Sequence, residues 1–228
     1  MTYRRFAVYY TPSDAGLAGF GAKWLGWDIA AGRSVPQPSP AGLPAPLAGI
    51  TAGARPYGFH ATLKPPFRLA PGQTAEMLDA TLARLAEQMP PHPVEGLRPA
   101  RLGGFLALVP QGETAPLNGL AAMIVETLDS FRAPPDEAEL ARRRASRLSP
   151  AQETLLARWG YPYVMGEFRF HMTLTGHLPG AHLPAVEAVL TRELAGVLPA
   201  RVAIDGLSLV GEDAGGRFHL LRRHPLTL

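Results

Sequence analysis

Apolar and polar residues alternate along several short segments of the chain, while other segments repeat apolar residues at helical spacing. Alternation predicts strands at about 5–10, 58–64, 94–102, 105–109, 167–175, 200–210 and 217–222. Helical spacing predicts helices at about 14–27, 74–89, 116–130 and 183–197, and two helices within 136–160, the second with Ser149 as its N-cap. Residues 31–57 hold six prolines with interspersed glycines, which predicts a long loop. Such a loop is either a lid or substrate-binding segment, or a tolerated insertion.

The order of strand, helix and a strand pair separated by glycines occurs twice along the chain. His171 follows His60 by 111 residues, and Phe218 follows Phe105 by 113 residues. This near-constant spacing indicates an internal duplication. We therefore expect an α+β fold, a single domain over 1–228 built from two pseudo-symmetric lobes, about 1–112 and 113–228, with room for strand exchange between them. Helices would cover the outer faces of antiparallel-rich sheets, leaving a central cleft.

Composition narrows the class of protein. The 228 residues are 46% hydrophobic and 18% charged, which excludes a disordered chain. Cysteine is absent, so disulfides, thiolate metal sites and a cysteine nucleophile are excluded. The first residues lack the apolar stretch of a signal peptide, and no run reaches the roughly 20 apolar residues of a membrane helix. We expect a cytoplasmic protein with no membrane partner. A net charge of +3 suits an anionic substrate but is not a nucleic-acid-binding signature.

Each half carries the same short motif, His-x-Thr-Leu, which begins at His60 and again at His171. Residues i and i+2 of a strand share a face, so His60 and Thr62 point the same way and Lys64 is expected to join them. By the same parity, Arg169 shares a face with His171 and Thr173. The intervening residues are apolar. We therefore expect both polar faces to line the cleft.

These residue types suit the cleavage of a phosphate diester. The reaction needs one group to deprotonate the attacking oxygen and another to protonate the leaving oxygen. Histidine can do either near neutral pH. Threonine hydroxyls beside the histidines can hydrogen-bond the non-bridging phosphate oxygens. This pairing requires neither a metal nor another cofactor, and we expect none.

Simpler interpretations remain open at this point. A lone His-x-Thr occurs often by chance, whereas two copies at matching places in a duplication are far more specific. Two surface histidines on strands are the first alternative. Zinc held by His60, His171 and His177 is the second, although neither motif contains a carboxylate or a cysteine.

The paired motifs resemble those of the two-histidine (2H) phosphoesterase superfamily. The longer words around them are similar to one uncharacterised branch, DUF1045, which is encoded with phosphonate-metabolism genes. The similar segments are residues 55–67, 102–110, 131–134 and 160–176. The resemblance covers nearly the whole chain.

The resemblance implies a two-lobed fold in which His60 and His171 are the catalytic pair and Thr62 and Thr173 bind phosphate. It implies a phosphoric diester hydrolase acting on a small cyclic phosphate. The phosphonate context implies a candidate substrate, a ribose 1,2-cyclic phosphate that carries a 5-phosphate. We hypothesise that Lys64 and Arg169 bind that extra phosphate.

Other residues and partners remain alternatives. Tyr57 and Tyr163 are candidates for stacking on a ribose or base, with rim packing as the plainer interpretation. The arginine-rich segment 142–147 is either a solvated helix face or a lid that helps to capture phosphate. The rival functions are an RNA 2′,3′-cyclic phosphodiesterase or 2′–5′ RNA ligase, and an RNA-end-binding module without turnover. We expect a monomer.

Overall fold

The computed structural model describes residues 2–228. Within this range the α-helices are α1 Ala15–Leu25, α2 Leu47–Ile50, α3 Ala75–Glu87, α4 Ala115–Thr127, α5 Glu137–Arg144, α6 Pro150–Trp159 and α7 Leu183–Leu194. The strands are β1 Arg5–Tyr10, β2 Trp27–Asp28, β3 Arg33–Ser34, β4 Ala61–Phe67, β5 His92–Val94, β6 Leu97–Leu102, β7 Phe105–Pro110, β8 Met172–Thr173, β9 Val202–Ile204, β10 Gly206–Glu212 and β11 Phe218–Pro225. The predicted α+β class with antiparallel strands is confirmed.

Seven of the described strands form one antiparallel sheet in the order β11-β10-β1-β4-β8-β7-β6. The hairpin β6–β7 comes from the first half of the chain but pairs with β8 from the second half. Conversely, β10 and β11 come from the second half and extend the sheet from β1. Strands from both halves thus meet where β4 pairs with β8. The division into two lobes stays a prediction.

The alternation of β1 shows how the sheet separates its two faces. Phe6, Val8 and Tyr10 belong to the main hydrophobic core, where α3 packs on β10 and β11, α4 on β4, and α7 on β6 and β7. Ala7 and Tyr9 point to the opposite face and join a smaller apolar cluster with Trp27 and Phe218. The helices therefore cover one face of the sheet and leave part of the other face accessible.

Local chemistry explains where the helices begin and end. Asp14, Thr74, Asp136 and Ser149 each accept a backbone hydrogen bond that caps a helix start. The prediction that the first helix reaches Trp27 is wrong by about two residues. Gly26 stops α1 because it adopts φ +80° and its N–H closes the last turn on Ala22.

Two predicted strand boundaries also differ from the structure. The strand predicted to stop at Pro65–Pro66 continues to Phe67, because register shifts between β1 and β4 accommodate the prolines. The predicted strand 167–175 is paired only at Met172–Thr173. Before it, residues Met165–Glu167 form a 3₁₀ turn. After it, Leu174 and Thr175 both donate to the Leu106 carbonyl instead of continuing the ladder. No helix within residues 2–228 has the length and apolarity that crossing a membrane requires.

Candidate active site

The two histidine motifs lie beside each other at the junction of the two strand sets. Ala61 of β4 pairs with Met172 of β8. Extending this antiparallel register by one residue each way places His60 opposite Thr173 and Thr62 opposite His171. Directly opposite Cβ atoms lie about 5 Å apart and diagonal positions about 7–8 Å apart. The diagonal between the two histidines is therefore wide enough to admit a phosphate group.

Both imidazoles are anchored in the same way. His60 Nδ1 donates to the carbonyl of Gly58 at 2.9 Å, and His171 Nδ1 donates to the carbonyl of Arg169 at 2.7 Å. Each contact joins a histidine to the residue two positions earlier. Because Nδ1 carries the proton, Nε2 of a neutral imidazole keeps a lone pair that can accept one. His60 Nε2 lies 3.0 Å from Thr62 Oγ1, which donates to it when the ring is neutral.

Two neighbours hold His60 in place. Gly58 has φ +71° and ψ −179°, a conformation that side chains disfavour, and a Cβ there would lie 2.6 Å from Ile29 Cβ. This backbone geometry aims the Gly58 carbonyl at the imidazole. On the other side, the Tyr9 ring stacks on His60 with a centroid distance of 3.7 Å. The His60 side chain is thus held in position before any ligand binds.

The environments of the two histidines differ in depth. The pKa of His60 is lowered to about 4, chiefly by burial and to a smaller extent by the nearby His171, while the hydrogen bond to the Gly58 carbonyl opposes the shift. Burial also lowers the pKa of His171, while the Arg169 carbonyl opposes that shift. His60 is therefore neutral at pH 7 and suited to accept a proton.

The cleft over these residues has a volume of about 440 Å³. The cleft is lined by both histidine motifs and by residues from the surrounding strands, helices and loops: Arg5, Tyr9, Gly53, Ala54, Tyr57, Gly58, His60, Thr62, Pro65, Pro66, Phe105, Arg143, Tyr161, His171, Thr173, Thr175, Gly176 and His177. Within residues 2–228, the side chains lining this cleft include two arginines and three histidines but no carboxylate. The arrangement suits an anion placed between the histidines.

The end of the proline-rich loop forms one wall of the cleft. Gly53, Ala54 and Tyr57 line it. Arg55 fixes this wall by donating to the carbonyls of Leu25 at 2.9 Å and Ala48 at 2.6 Å. The first contact joins the loop to the end of α1, and the second joins it to α2 within the same segment. The segment therefore contributes a wall to the cleft, whereas its role as a lid stays a prediction.

The structure brings five of the eight predicted site residues together in the cleft: His60, His171, Thr62, Thr173 and Tyr57. The predicted position of Lys64 is wrong. Thr62 pairs with Tyr9, but Lys64 pairs with Val8, so β4 has one extra residue at this point. Such a bulge reverses the alternation of the faces.

The Lys64 ammonium consequently lies under α4 and away from the cleft. It donates to the Val125 carbonyl at 3.1 Å and lies 4.0 Å from Asp129 Oδ1. The side chain is almost fully buried. Burial lowers the pKa of Lys64 to about 8, although Asp129 opposes the shift.

Arg169 and Tyr163 do not line the cleft either. The Arg169 side chain is exposed, and its contribution to the site is the carbonyl that orients His171. Tyr163 is 43% exposed and packs edge-on against Tyr161, with a centroid distance of 5.8 Å. Tyr161 takes the place in the cleft that the sequence suggested for Tyr163.

Of the two arginines in the cleft, sequence reasoning missed Arg5 and considered Arg143 only as one member of a segment that is either a solvated helix face or a phosphate-capturing lid. Arg5 shares the face of Tyr9 on β1, so strand parity could have indicated it once that face was known. Arg143 belongs to the arginine-rich segment, but nothing in the sequence separates it from Arg142 or Arg144. The lining also includes His177, which packs edge-on against Phe105.

The zinc alternative can be compared with the side-chain positions. In the part of the chain that the structure describes, no group of three or more His, Asp or Glu residues is arranged to hold a metal ion. His177 lines the same cleft as His60 and His171, but the three do not converge.

A comparison with models of protein families identifies the family of this chain. The model of the family described as a protein of unknown function, DUF1045, matches residues 62–219. The chain belongs to the DUF1045 family. This confirms the family that the sequence words predict. The matched region includes Thr62 and the whole second motif and begins two residues after His60.

The curated relatives are more similar to this chain in sequence than the solved structures are. A "ribose 1,5-bisphosphate phosphokinase PhnN" of Janthinobacterium sp. (strain Marseille) is 39% identical over 93% of this chain and 48% of its own length. A protein of the same name from Laribacter hongkongensis (strain HLHK9) is 38% identical over 96% of this chain and 51% of its own. The DUF1045 chain thus spans about half the length of the curated relatives it matches.

Solved structures give weaker matches. E. coli LigT complexed with NADP+ is 17% identical with a TM-score of 0.47 and full coverage of both chains. TT0787 of Thermus thermophilus is 16% identical with a TM-score of 0.47 and 97% coverage of both. A structure described as a phosphoesterase has 17% identity, a TM-score of 0.45 and full coverage. The family assignment rests on the family model alone.

Proposed function

We propose that this DUF1045 chain hydrolyses a cyclic phosphate ester by acid–base catalysis, with His60 as the base and His171 as the acid. The observation that carries the proposal is the repeated arrangement of the two imidazoles. Each donates Nδ1–H to the carbonyl two residues earlier, and each is followed two residues later by a threonine on one of two neighbouring strands, β4 and β8, that line one cleft. A pair on either side of a phosphorus atom can divide the two proton transfers.

The reaction balances with water as the only co-reactant. His60 Nε2 takes a proton from the water that attacks phosphorus. The bond between phosphorus and one ring oxygen breaks on the opposite side, and His171 Nε2–H gives its proton to that oxygen. The products are a phosphate monoester and a free hydroxyl. The histidines then exchange protons with solvent to restore their starting states.

The threonines have a supporting role in this proposal. Thr62 Oγ1 lies 3.0 Å from His60 Nε2 in the ligand-free site. When a phosphate binds, the Thr62 hydroxyl would donate its hydrogen bond to a non-bridging phosphate oxygen instead of to His60 Nε2. His60 Nε2 is then free to accept a proton from the water. Thr173, opposite His60, is placed to do the same for the other oxygen. Fixed donors of this kind stabilise the charge that develops during the attack.

The candidate substrate is a ribose 1,2-cyclic phosphate with a 5-phosphate. Within residues 2–228, the absence of a lining carboxylate and the presence of Arg143 and three histidines favour an anionic substrate. The name of the curated relatives refers to a ribose bisphosphate, which supports a ribose phosphate as ligand. Their kinase activity need not belong to the matched half, and this sequence contains no Gly-x-x-x-x-Gly-Lys phosphate loop.

A turnover assay with EDTA present tests the proposal. The panel contains 5-phosphoribosyl 1,2-cyclic phosphate, the same compound without the 5-phosphate, 2′,3′-cyclic nucleotides, an RNA ending in a cyclic phosphate, and ribose 1,5-bisphosphate with ATP. We expect ring opening of a small cyclic phosphate. Turnover of the RNA alone would select the RNA 2′,3′-cyclic phosphodiesterase, and RNA binding without turnover would select the RNA-end-binding module. ATP-dependent phosphorylation without ring opening would contradict the proposal.

A further inference from the structure

Two arginines line the cleft, and they differ in how their charge is compensated. Arg5 Nε and Nη2 donate to the two carboxylate oxygens of Glu212 at 2.5 and 2.7 Å. This two-point pair uses both the charge and the fork of the guanidinium. Arg5 is therefore committed to holding β1 against β10.

Arg143 reaches the same cleft from α5 without a comparable partner. Its Nε is buried and has no hydrogen-bond partner among residues 2–228. The nearest carboxylate oxygen, Glu139 Oε1, lies 3.6 Å from Arg143 Nη2, and Glu139 also lies 3.8 Å from Arg68. A buried donor left without an acceptor is costly. An acceptor supplied by a ligand would complete this group.

A tyrosine ring holds Arg143 in place. The Arg143 guanidinium lies 4.6 Å from the centre of the Tyr161 ring, and both residues line the cleft. This cation–π contact uses the charge of the guanidinium but none of its N–H donors.

We propose that Arg143, held in place by Tyr161, forms a second anion subsite that holds a phosphate monoester on the same substrate. This inference rests on the proposed function, in which the cyclic phosphate lies between His60 and His171. The second phosphate supplies an acceptor for the Arg143 guanidinium, whose side chain is 23% exposed and has its carboxylate neighbour, Glu139, beyond hydrogen-bond distance. Arg143 thereby takes the role that the sequence suggested for Lys64 and Arg169. It selects cyclic phosphates that carry a further phosphate.

The arginine-rich segment provides a matched control. Arg142 is exposed on the same helix and does not line the cleft, while Arg144 pairs with Glu153 on α6. Removing Arg142 changes the net charge by the same amount as removing Arg143. A difference between the two variants therefore reports position in the cleft and not charge alone.

The test compares kcat/KM for 5-phosphoribosyl 1,2-cyclic phosphate and for ribose 1,2-cyclic phosphate. Wild type, Arg143→Met, Arg143→Lys and Arg142→Met are measured, with thermal unfolding as a folding check. Binding of ribose 5-phosphate to each protein is measured by calorimetry as a readout that needs no turnover. In Arg143→Met, we expect the preference for the phosphorylated substrate to fall about 10- to 100-fold, mainly through KM. Arg143→Lys should recover part of it, and Arg142→Met should keep the wild-type preference.

The outcomes separate this inference from the proposed function. Turnover with an unchanged preference in Arg143→Met would overturn the subsite and leave the hydrolase standing. Absence of turnover in wild type, with ribose 5-phosphate binding that weakens at least tenfold in Arg143→Met, would overturn the hydrolase and support the subsite. Absence of both turnover and ribose 5-phosphate binding would overturn both.

Discussion

Alanine at either His60 or His171 is expected to lower kcat by about 10²- to 10⁴-fold, the usual contribution of a positioned acid or base. Each imidazole performs one of the two proton transfers, and both transfers occur in the same step. Losing either imidazole therefore raises the barrier of that step. Because the pair acts as a unit, the double variant should be little worse than the more damaging single one. Steady-state kinetics on the best substrate of the panel measures this.

The matched control is His182→Ala, since His182 is the N-cap residue just before α7, lies outside the cleft and makes no capping bond through its side chain. Its kcat should stay within about twofold of wild type. Thermal unfolding should show that all variants fold. A single variant at His60 or His171 that keeps more than about a tenth of the wild-type kcat would remove that histidine from the proposed pair.

Methionine at Lys64 is expected to change the pH dependence of stability. The folded pKa of Lys64 is about 8, whereas the unfolded value is near 10.5. Between these two pH values the unfolded chain binds more protons than the folded protein, so the free energy of unfolding rises with pH. Below pH 8 the full cost of burying the charged ammonium is present. A shift of this size corresponds to about 3 kcal/mol. Lys64→Met removes the penalty but also the hydrogen bond to the Val125 carbonyl.

Urea unfolding at a series of pH values measures this effect. The free energy of unfolding of Lys64→Met minus that of wild type should fall by about 3 kcal/mol between pH 7 and pH 10.5. Lys23 is exposed on α1 and is the matched control, because Lys23→Met removes the same charge from the surface instead of from a buried site. A parallel curve for Lys64→Met would mean that the lysine is not buried as described.

The residues that sequence predicted well are those whose chemistry is local. Gly103 and Gly104 between two apolar runs predicted the turn that joins β6 and β7, and Leu102 pairs with Phe105 across it. Alternation also placed His60, Thr62, His171 and Thr173 on the cleft side, even though β8 is only two residues long. Burial alternates with a period of two over residues 168–173, so the side-chain directions continue beyond the paired residues.

The residues that sequence misplaced depend on contacts between distant segments. Strand alternation in the sequence predicts that Lys64 points to the same side as His60 and Thr62. The bulge opposite Val8 instead turns the Lys64 side chain into the core. That bulge is set by the pairing of β1 with β4 and leaves no mark in the motif itself. Arg143 likewise reaches the cleft only because α5 lies near Tyr161. The sequence of the arginine-rich segment cannot tell which of its members does so.

The pH dependence of kcat/KM tests the assignment of base and acid most directly. It reports the free enzyme, where His60 has a pKa of about 4 and the pKa of His171 is also below its usual value. His60 must be neutral and His171 protonated. The substrate should be the best cyclic phosphate of the panel without a monoester, because a monoester titrates near pH 6.

We expect kcat/KM to be greatest on the acidic side of neutrality, with activity lost as the pH falls through about 4 and again as it rises past the His171 pKa. The residual activity of His60→Ala should lack the acidic limb, and that of His171→Ala should lack the alkaline limb. A profile that is unchanged in shape in both variants, or one that rises steadily to pH 9, would contradict the two-histidine mechanism.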